Sequence, residues 1–507
     1  MRELIPKALT HGTARISVAT EVLPMATSKK SKKQEAESRE RRQRLLALLK
    51  EEVREETGDG STLEERNDAA FEVLKDALWR REGEDLRGAV TTAVEVEVEG
   101  RRYRQLKQAS AATYYGRWGS HEVEEPLYRQ TDVRNGATIK PLELKMGMIG
   151  RHMTPDLARV MGELCADRSS REVERTMRAT GLVPPGRAFI EKRMKQVAGE
   201  IADECEDLEE AARRATEVPP EVASVSCGLD RFSVRMSEPV EGDASARPAS
   251  RRREPYERSQ PAPRVYHYRK AWVGSTTTYD IKGKALQTWH YSVEASANPN
   301  TLADRVAADV RRVLKRHPTI PVHCIQDAAP ELRAMPEALR RALPASTRVR
   351  ELVDFEHLAK YYLDKVVETC EPKGDPNHMK DWFRGELLRD DRAIDRIWRN
   401  LRDRATRLDR HDAAARDAVA AALRYIRKRR PKMRYATLHQ ANLPIGSGAT
   451  ESTCWQMQRR VQRPGQSWEL QGLRGILAIR AMVLSDRWSN AWKPYAASHR
   501  RVVGSVN

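Results

Sequence analysis

The spacing of apolar positions along the chain predicts which segments form helices and which form strands. Apolar residues recur at every third or fourth position across residues 63–79, which predicts an amphipathic helix that ends at Gly83. Apolar and acidic residues then alternate across residues 94–98, and a similar alternation across residues 114–128 is broken by glycines. We therefore expect an N-terminal helix and a small antiparallel β unit within residues 57–150.

Residues 151–220 carry the signals of several short helices. Thr154 precedes Pro155, a hydroxyl cap with proline at the first helical position, and Ser169 opens a Ser-x-x-Glu capping box. A third helix is predicted from Arg187 onward. Three short helices in tandem resemble a helix-turn-helix unit that binds DNA, but such packing is also common in proteins that do not bind DNA. Both interpretations stay open.

Between residues 221 and 355 the pattern becomes that of an α/β fold. The predicted elements are strands at 225–236, 265–278 and 285–293, a helix at 302–314, a strand at 320–326, a helix at 330–343 and a strand at 348–353. The order of elements is three strands, a helix, a strand, a helix and a strand. This is the order of a ribonuclease-H-like catalytic core, a mixed five-stranded sheet with helices.

A long helical segment interrupts this order. Residues 356–440 carry apolar residues at helical spacing almost throughout, which predicts an all-helical insertion. The motif Pro444-Ile-Gly-Ser-Gly then predicts a turn, followed by a helix over residues 449–461. Residues 441–507 are therefore expected to complete the core and to end in a basic tail, with residues 470–484 as the last helix.

The two ends of the chain share a basic character. Residues 1–50 contain 12 Lys or Arg and 5 acids with few apolar residues, so residues 1–56 are predicted to form a disordered basic arm, with Met25 as an alternative start. Residues 421–507 contain 16 Lys or Arg and 3 acids. Residues 244–270 contain 8 Lys or Arg and 2 acids in a stretch rich in Arg, Pro and Ser, which is predicted to be an exposed loop.

The composition narrows the class of protein. At about 150 residues per domain, 507 residues indicate roughly three folded units. The 91 Lys or Arg against 73 Asp or Glu give a formal charge of +18, which favours a polyanionic partner. A mean hydropathy of -0.71, without the run of about 18 to 20 apolar residues that a spanning helix needs, argues against a membrane protein.

The cysteines and the N-terminus indicate the compartment. The 6 cysteines lie far apart, with no Cys-x-x-Cys pair and no Cys/His cluster at zinc spacing, so we expect reduced thiols in the core. The first 25 residues contain scattered charges and no continuous apolar segment, unlike a secretory signal. We expect a cytoplasmic protein, associated with the nucleoid of a bacterium.

Three carboxylates fall at positions where a ribonuclease-H-like core would bring them together. Asp230 lies in the first strand, Asp327 ends the fourth, and Glu451 lies in the first turn of the helix after the insertion. Each alone is most simply a cap or a surface group among 73 acids, but their joint pattern favours a site for two Mg²⁺ ions about 3.5 to 4 Å apart. Three other glutamates compete for the third place: Glu356, Glu386 and Glu469.

Five motifs carry a resemblance to a known family. They are Gly228-Leu-Asp-Arg-Phe-Ser-Val-Arg-Met236, Gln326-Asp-Ala-Ala-Pro330, Asp354-Phe-Glu-His357, Pro444-Ile-Gly-Ser-Gly-Ala-Thr-Glu451 and Arg460-Val-Gln-Arg-Pro-Gly-Gln-Ser-Trp468. With them the chain resembles DDE-type insertion-sequence transposases, most closely the ISKra group, over about residues 110–490. Two departures from the family pattern are Pro464, where serine is usual, and Arg231-Phe232, where small or apolar residues are common.

The resemblance implies a catalytic centre and its partners. It places the catalytic, metal-binding acids at Asp230, Asp327 and Glu451, with Mg²⁺ as cofactor and Mn²⁺ as a substitute. Asp354 and His357 match an auxiliary element near the centre, but an Asp and a His three residues apart also cap and satisfy one another at a helix start. The partners would be the DNA of the element's terminal inverted repeats and of the target, bound by a homodimer or a larger assembly.

Basic and aromatic residues after Glu451 are candidates for DNA contact. Arg459, Arg460 and Arg463 are predicted to bind phosphates, and Trp468 either stacks on an unpaired base or packs internally. Trp455 is predicted to pack in the core beneath the glutamate helix. Tyr266, His267 and Tyr268 are interpreted as strand residues.

The sequence as a whole predicts a transposase that hydrolyses phosphodiester bonds at element ends and transfers a 3′-hydroxyl to target DNA. A DNA nuclease on the same core without strand transfer, and a domesticated DNA-binding protein without catalysis, are the alternatives.

Overall fold

The computed structural model describes residues 32–58, 60–239, 263–294, 297–327, 329–370, 376–408 and 411–506. The chain divides into two compact units, residues 1–78 and residues 79–507. The alternative start at Met25 and most of the predicted basic loop lie outside the described residues. None of the helices in the described ranges is both long enough and apolar enough to cross a membrane.

Helices form most of the described chain. They are α1 (Lys32–Thr57), α2 (Leu63–Gly88), α3 (Pro141–Met146), α4 (Pro155–Asp167), α5 (Ser170–Ala179), α6 (Arg187–Asp203), α7 (Cys205–Ala215), α8 (Pro299–Arg316), α9 (Ala334–Ala342), α10 (Phe355–Leu358), α11 (Asp364–Cys370), α12 (Pro376–Arg389), α13 (Ala393–Arg407), α14 (Ala413–Arg427), α15 (Ala436–Gln440), α16 (Gly448–Val461), α17 (Leu470–Leu484) and α18 (Trp488–Ser498). A π-helical turn, Ala359–Leu363, joins α10 to α11, and 3₁₀ turns lie at Pro330–Arg333 and Arg430–Lys432.

The strands are β1 (Glu95–Val98), β2 (Arg101–Tyr115), β3 (Ser120–Gln130), β4 (Thr138–Ile139), β5 (Ser224–Pro239), β6 (Arg264–Tyr279), β7 (Ala285–Val293), β8 (Val322–Gln326), β9 (Val349–Val353) and β10 (Val503–Val506).

The two N-terminal helices differ from the prediction. The described part of the expected disordered arm forms α1, because this stretch contains helix-forming Glu, Arg, Gln, Ala and Leu residues and neither Gly nor Pro. α2 continues through Gly83 to Gly88. At Gly83 a Cβ atom would lie 2.9 Å from Nδ1 of His121, so the glycine permits close packing there instead of ending the helix.

The first sheet is antiparallel and contains the predicted β unit. Its strand order is β10-β1-β2-β3-β4. β2 and β3 form a long hairpin whose turn contains Gly119 at φ 155°, a left-handed conformation that favours glycine. The last strand was not predicted: β10 pairs with β1, with Val506 opposite Glu95. The first and last strands of the described chain therefore share one sheet.

The second sheet confirms the predicted mixed α/β arrangement. Its strand order is β7-β6-β5-β8-β9, with β5, β6 and β7 antiparallel and β8 and β9 parallel to β5. All five predicted strands occur within a few residues of their expected bounds. The helix predicted at 330–343 is divided into a 3₁₀ turn and α9.

Helices cover both faces of this sheet. On one face α8 and α9 pack on β5 and β8 through an apolar core that includes Val306, Val310 and Leu339. On the other face α16 and α17 share a core with the helices of residues 155–215, so that region is not a separate bundle. It contains four helices, one more than predicted.

The helical segment between β9 and α16 has a core of its own. It packs α11, α12, α13 and α14 around residues such as Ile394, Leu401 and Val419. The predicted helical character of residues 356–440 is confirmed in the described parts. The prediction that residues 470–484 form the last helix was wrong, because α18 follows. Its apolar side chains Trp488, Trp492 and Tyr495 are buried.

Candidate acidic site

Asp230 and Asp327 lie at the same level on neighbouring parallel strands. The last residue pair between β5 and β8 joins Cys227 to Cys324, and each aspartate follows three residues later, Asp230 within β5 and Asp327 directly after the end of β8. Because side chains alternate along a strand and parallel neighbours lie about 4.8 Å apart, both carboxylates fall on the same face of the sheet. Oδ1 of Asp327 accepts a hydrogen bond from the backbone N–H of Ala329 at 2.9 Å.

Glu451 reaches this face from α16. The helix lies close to the sheet, because Thr450 Oγ1 is 2.7 Å from Ser275 Oγ on β6. Gly228 makes this approach possible: a Cβ there would lie 2.3 Å from the carbonyl oxygen of Ile325 and 3.0 Å from Thr450 Oγ1. Glu451 itself is exposed and accepts a hydrogen bond from the Ser447 hydroxyl at 3.3 Å.

The charges of the three carboxylates interact. Burial raises the pKa of Asp230, and the negative charge of Asp327 raises it further. Partial burial also raises the pKa of Glu451, followed by the charges of Asp354 and Asp230. Asp230 thus interacts electrostatically with both of the other predicted acids, Asp327 and Glu451.

Little within the fold offsets this negative charge. The backbone N–H of Arg231 donates to Asp230 Oδ1 at 2.7 Å, and the Cys454 thiol also lowers the pKa of Asp230. The guanidinium of Arg231, however, forms its ion pair with Glu331. Within the described ranges, Asp230, Asp327 and Glu451 have no ion-pair partner.

Asp354 fixes the turn that leads to Glu451. It is buried and caps α10, since its Oδ1 accepts the backbone N–H of His357 at 2.5 Å. Its Oδ2 accepts the backbone N–H of Ser447, the residue before α16. One carboxylate therefore ties the start of the helical segment to the start of α16, and the capping interpretation of Asp354 is confirmed.

His357 lies beside the acids but outside any ion pair in the described residues. Its ring is tilted against those of Tyr361 and Tyr425, with centroid distances of 4.9 and 5.9 Å. When protonated, it lowers the pKa of both Asp230 and Glu451. His357 therefore lies within electrostatic reach of Asp230 and Glu451 without forming an ion pair in the described residues.

The donor set fits a hard divalent cation in its chemistry. Carboxylate oxygens are the ligands that Mg²⁺ prefers, and mutually repelling carboxylates with raised pKa values gain from a nearby cation. In the described parts of the chain, no three His, Cys, Asp or Glu side chains converge closely enough to coordinate one ion as they stand.

The competing glutamates are engaged elsewhere. Glu386 pairs with Arg389 and Arg396, each at 2.8 Å. Glu469 pairs with Lys195 at 2.5 Å and with Arg264 at 2.9 Å. Glu356 is exposed and lies 3.7 Å from Arg384.

The predicted DNA-contact residues are placed in different ways. Arg459 is exposed, as a phosphate contact requires. Arg460 is only 7% exposed and donates to the Cys165 carbonyl at 3.0 Å, so its guanidinium points inward, contrary to the prediction. Arg463 donates to Glu172 at 2.5 Å. Trp468 is half-buried, and its indole N–H donates to the Val461 carbonyl at 2.9 Å.

Trp455 was placed in the core by sequence, and this was wrong. It is 56% exposed, with the Arg459 guanidinium 4.9 Å from its ring. The signal was present in the spacing: residues four apart share a helix face, so Glu451, Trp455 and Arg459 form one exposed stripe on α16. An aromatic and a cation thus follow the glutamate along the same face.

Comparison with known proteins gives this chain no family: no protein-family model matches it, and no curated protein matches it significantly.

Proposed function

We propose that the chain is a DDE-type DNA transposase of an insertion sequence, similar to the ISKra group. It would hydrolyse one strand at the element's ends and join the resulting 3′-hydroxyl to target DNA. The observation that carries the proposal is the placement of Asp230, Asp327 and Glu451 on three separate elements with interacting charges.

The identity of the fold is part of the same proposal. We take the mixed sheet as a ribonuclease-H-like core, with the helical segment between β9 and α16 as its insertion. The strand order β7-β6-β5-β8-β9 supports this, since the first strand lies at the centre between the antiparallel and the parallel neighbours.

Asp230, Asp327 and Glu451 would hold two Mg²⁺ or Mn²⁺ ions. Bound ions of this kind activate a water or 3′-hydroxyl and stabilise the leaving oxygen of a phosphodiester. The chain's own residues orient the carboxylates: Gly228 lets α16 approach the sheet, Asp354 holds the turn at Ser447, and the Ser447 hydroxyl donates to Glu451.

Basic and aromatic groups beside the acids would hold the DNA. Arg459 and Trp455 occupy the exposed face of α16 that also carries Glu451. A guanidinium can bind a phosphate, and an exposed indole can stack on an unpaired base. Assembly as a homodimer or larger complex would bring two element ends together.

The test replaces Glu451 by Gln, which keeps the side chain's size and removes its charge. Cleavage of a duplex containing the DNA that flanks the coding sequence, with Mg²⁺ or Mn²⁺, should fall by at least about 10³-fold. Binding of the same duplex should persist. The matched control is Glu356→Gln, which alters an exposed competing glutamate and should leave cleavage within about twofold of the parent.

Three results would contradict parts of the proposal. Undiminished cleavage by Glu451→Gln would show that Glu451 is not catalytic. Cleaved ends that never join to a supercoiled plasmid would favour a nuclease without strand transfer. Metal-independent DNA binding with no cleavage by the parent protein would favour a domesticated DNA-binding protein.

A further inference from the structure

A cavity of about 360 Å³ lies next to Asp327 and is not explained by the acidic site. It is bounded by the end of β8, the 3₁₀ turn at Pro330–Arg333, α9, β9 and the chain after α14. Its volume is at the lower end of the range of about 300 to 1,000 Å³ that is typical of small-ligand pockets. One small polar ligand, or one unit of a polymer, fits a space of this size.

The cavity wall is basic. Five cationic and two acidic side chains line it: Arg333, Arg340, Lys428, Arg429, Lys432, Glu337 and Glu351. Glu351 is already bound by Arg340 at 2.9 Å and by Lys432. The remaining charge therefore favours an anion.

Two of these cations are available to a ligand. Arg333 and Lys428 are exposed, and the side chain of neither forms a hydrogen bond or an ion pair within the described ranges of the chain. Glu337 on α9 is also unpaired within those ranges. Arg333, Lys428 and Glu337 together therefore carry one net positive charge. An anionic group at this wall would be held by Arg333 and Lys428 together.

A buried acceptor also lines the cavity. Gln326 is 8% exposed, and its Nε2 donates to the Leu332 carbonyl at 2.8 Å. Its Oε1 has no partner among the described groups. This oxygen is itself buried, so a ligand in the cavity reaches it only after a small rotation of the Gln326 side chain, and a donor placed there would satisfy the acceptor. Sulfate, an anion that has only acceptors, would not.

The cavity is joined to the acidic site through one side chain. The Tyr425 hydroxyl donates to the Asp327 carbonyl at 2.8 Å. The guanidinium of Arg429, a wall residue, lies 4.5 Å from the Tyr425 ring and donates to the Tyr425 carbonyl at 3.0 Å. The cavity therefore begins within one residue's reach of the proposed catalytic aspartate.

We propose that this cavity binds one nucleotide of a DNA strand, adjacent to the nucleotide at the acidic site. The phosphate would lie at Arg333 and Lys428, and a base or sugar donor would reach Gln326 Oε1. A nucleotide combines an anion and a hydrogen-bond donor at this size, which matches the wall and the unpaired acceptor. The inference rests on the proposed function in taking a polynucleotide as the source of the nucleotide.

The test removes the two free cations together, as Arg333→Ala with Lys428→Ala. Neither side chain holds the fold, so the variant should fold like the parent. The matched control is Lys315→Ala with Arg316→Ala, which removes the same charge from the last turn of α8, near the opposite end of β8. Both are made in the full chain.

Binding of a labelled single strand of about 12 nucleotides is measured by fluorescence anisotropy in EDTA over a range of salt concentrations. The Arg333/Lys428 variant should bind about tenfold more weakly near 0.1 M salt. The magnitude of its slope of log affinity against log salt should fall by about 0.7, since the two cations together neutralise one phosphate of the single strand. The control should keep both values.

Equal losses in the two variants would overturn the proposal, because they would reflect general attraction. Saturable binding of adenosine 5′-monophosphate that depends on Arg333 and Lys428, with strand affinity unchanged, would also overturn it by indicating a site for free nucleotides. The two proposals can fail separately. If the parent protein cleaves DNA but its strand binding does not depend on Arg333 and Lys428, only the nucleotide site is contradicted. If strand binding depends on these residues but no cleavage occurs, only the transposase proposal is contradicted.

Discussion

Two aspartates on opposite faces of the mixed sheet are treated differently by the fold. Asp309 on α8 is fully buried, and Arg487 donates to its two oxygens at 2.7 and 2.8 Å while the Tyr291 hydroxyl donates as well. Asp230 on β5 is half-buried and accepts a backbone N–H from Arg231, with no ion-pair partner in the described residues. One carboxylate is neutralised from within, and the other is not.

The difference indicates where an external cation would act. A charge removed from water is unfavourable unless it is paired, and the arginines around Asp309 show that this chain can supply such pairing. At Asp230 it instead leaves the carboxylate partly buried beside Asp327: burial raises the pKa of Asp230, and the charge of Asp327 raises it further. Perturbed carboxylates in a cluster are typical of functional sites, so the comparison supports a metal-binding role for the Asp230 face.

The largest effect is expected at the neutralised aspartate. Asp309→Ala leaves Arg487 buried without its partner and should reduce the free energy of unfolding by about 3 to 5 kcal/mol in urea denaturation. The control is Asp304→Ala on the same helix, whose pair with Arg341 at 2.7 Å is exposed and should contribute less than about 1 kcal/mol. Equal losses would remove the basis of the comparison.

The second test concerns two histidines, His323 buried and His290 half-buried, that have no charge partner among the described residues. Burial lowers the pKa of both His290 and His323 to about 4. Below the ordinary value near 6.5 the unfolded chain takes up these protons before the folded chain does, so stability is lost as the pH falls. Between pH 7 and pH 5 each histidine should remove about 2 kcal/mol.

A variant isolates one of the two histidines. Neither ring nitrogen of His323 has a hydrogen-bond partner among the described residues, so His323→Leu should fold normally at pH 7. The acid-induced loss, measured by urea denaturation at both pH values, should shrink by about 2 kcal/mol. An unchanged pH dependence would show that the folded protein does not keep the His323 ring uncharged at pH 5.

The smallest change in stability is expected at the acidic site. Asp230→Asn removes one of the repelling charges, so without divalent ions the free energy of unfolding at pH 7 should stay equal or rise by up to about 1 kcal/mol. Mg²⁺ should raise the Tm of the parent and not of the variant. A loss above about 2 kcal/mol in EDTA would indicate that Asp230 is a structural residue like Asp309.

The mixed sheet could be predicted because its strands are largely buried, and the local pattern of apolar residues indicates burial. β8 is a compact, largely apolar strand, whereas β5 mixes apolar and polar residues, and their parallel register then fixed the level of Asp230 and Asp327. β10 could not be predicted in this way. Its four residues, Val-Gly-Ser-Val, acquire strand structure only through β1, a distant partner that no local pattern indicates.

The positions of the three acids in the fold were predictable, and the directions of the side chains around them were less so. Glu451 follows a glycine-rich turn that local sequence reveals, but the inward direction of Arg460 depends on the Cys165 carbonyl, almost 300 residues away. The position of Gly83 inside α2 could not be predicted from local sequence either, because the reason for the glycine is its close packing against His121. Local patterns predict elements, whereas contacts made across the fold decide which side chains remain free.

The pairing of β10 with β1 also affects how the protein is made. The two strands are separated by roughly 400 residues, and a ribosome adding about 5 to 20 residues per second needs on the order of 20 to 80 s to synthesise that interval. During this time β1 presents an unpaired edge on the growing chain, a template for wrong pairing. Ribosome-bound chains stalled before Val503 should therefore bind chaperones longer than chains released after Val506.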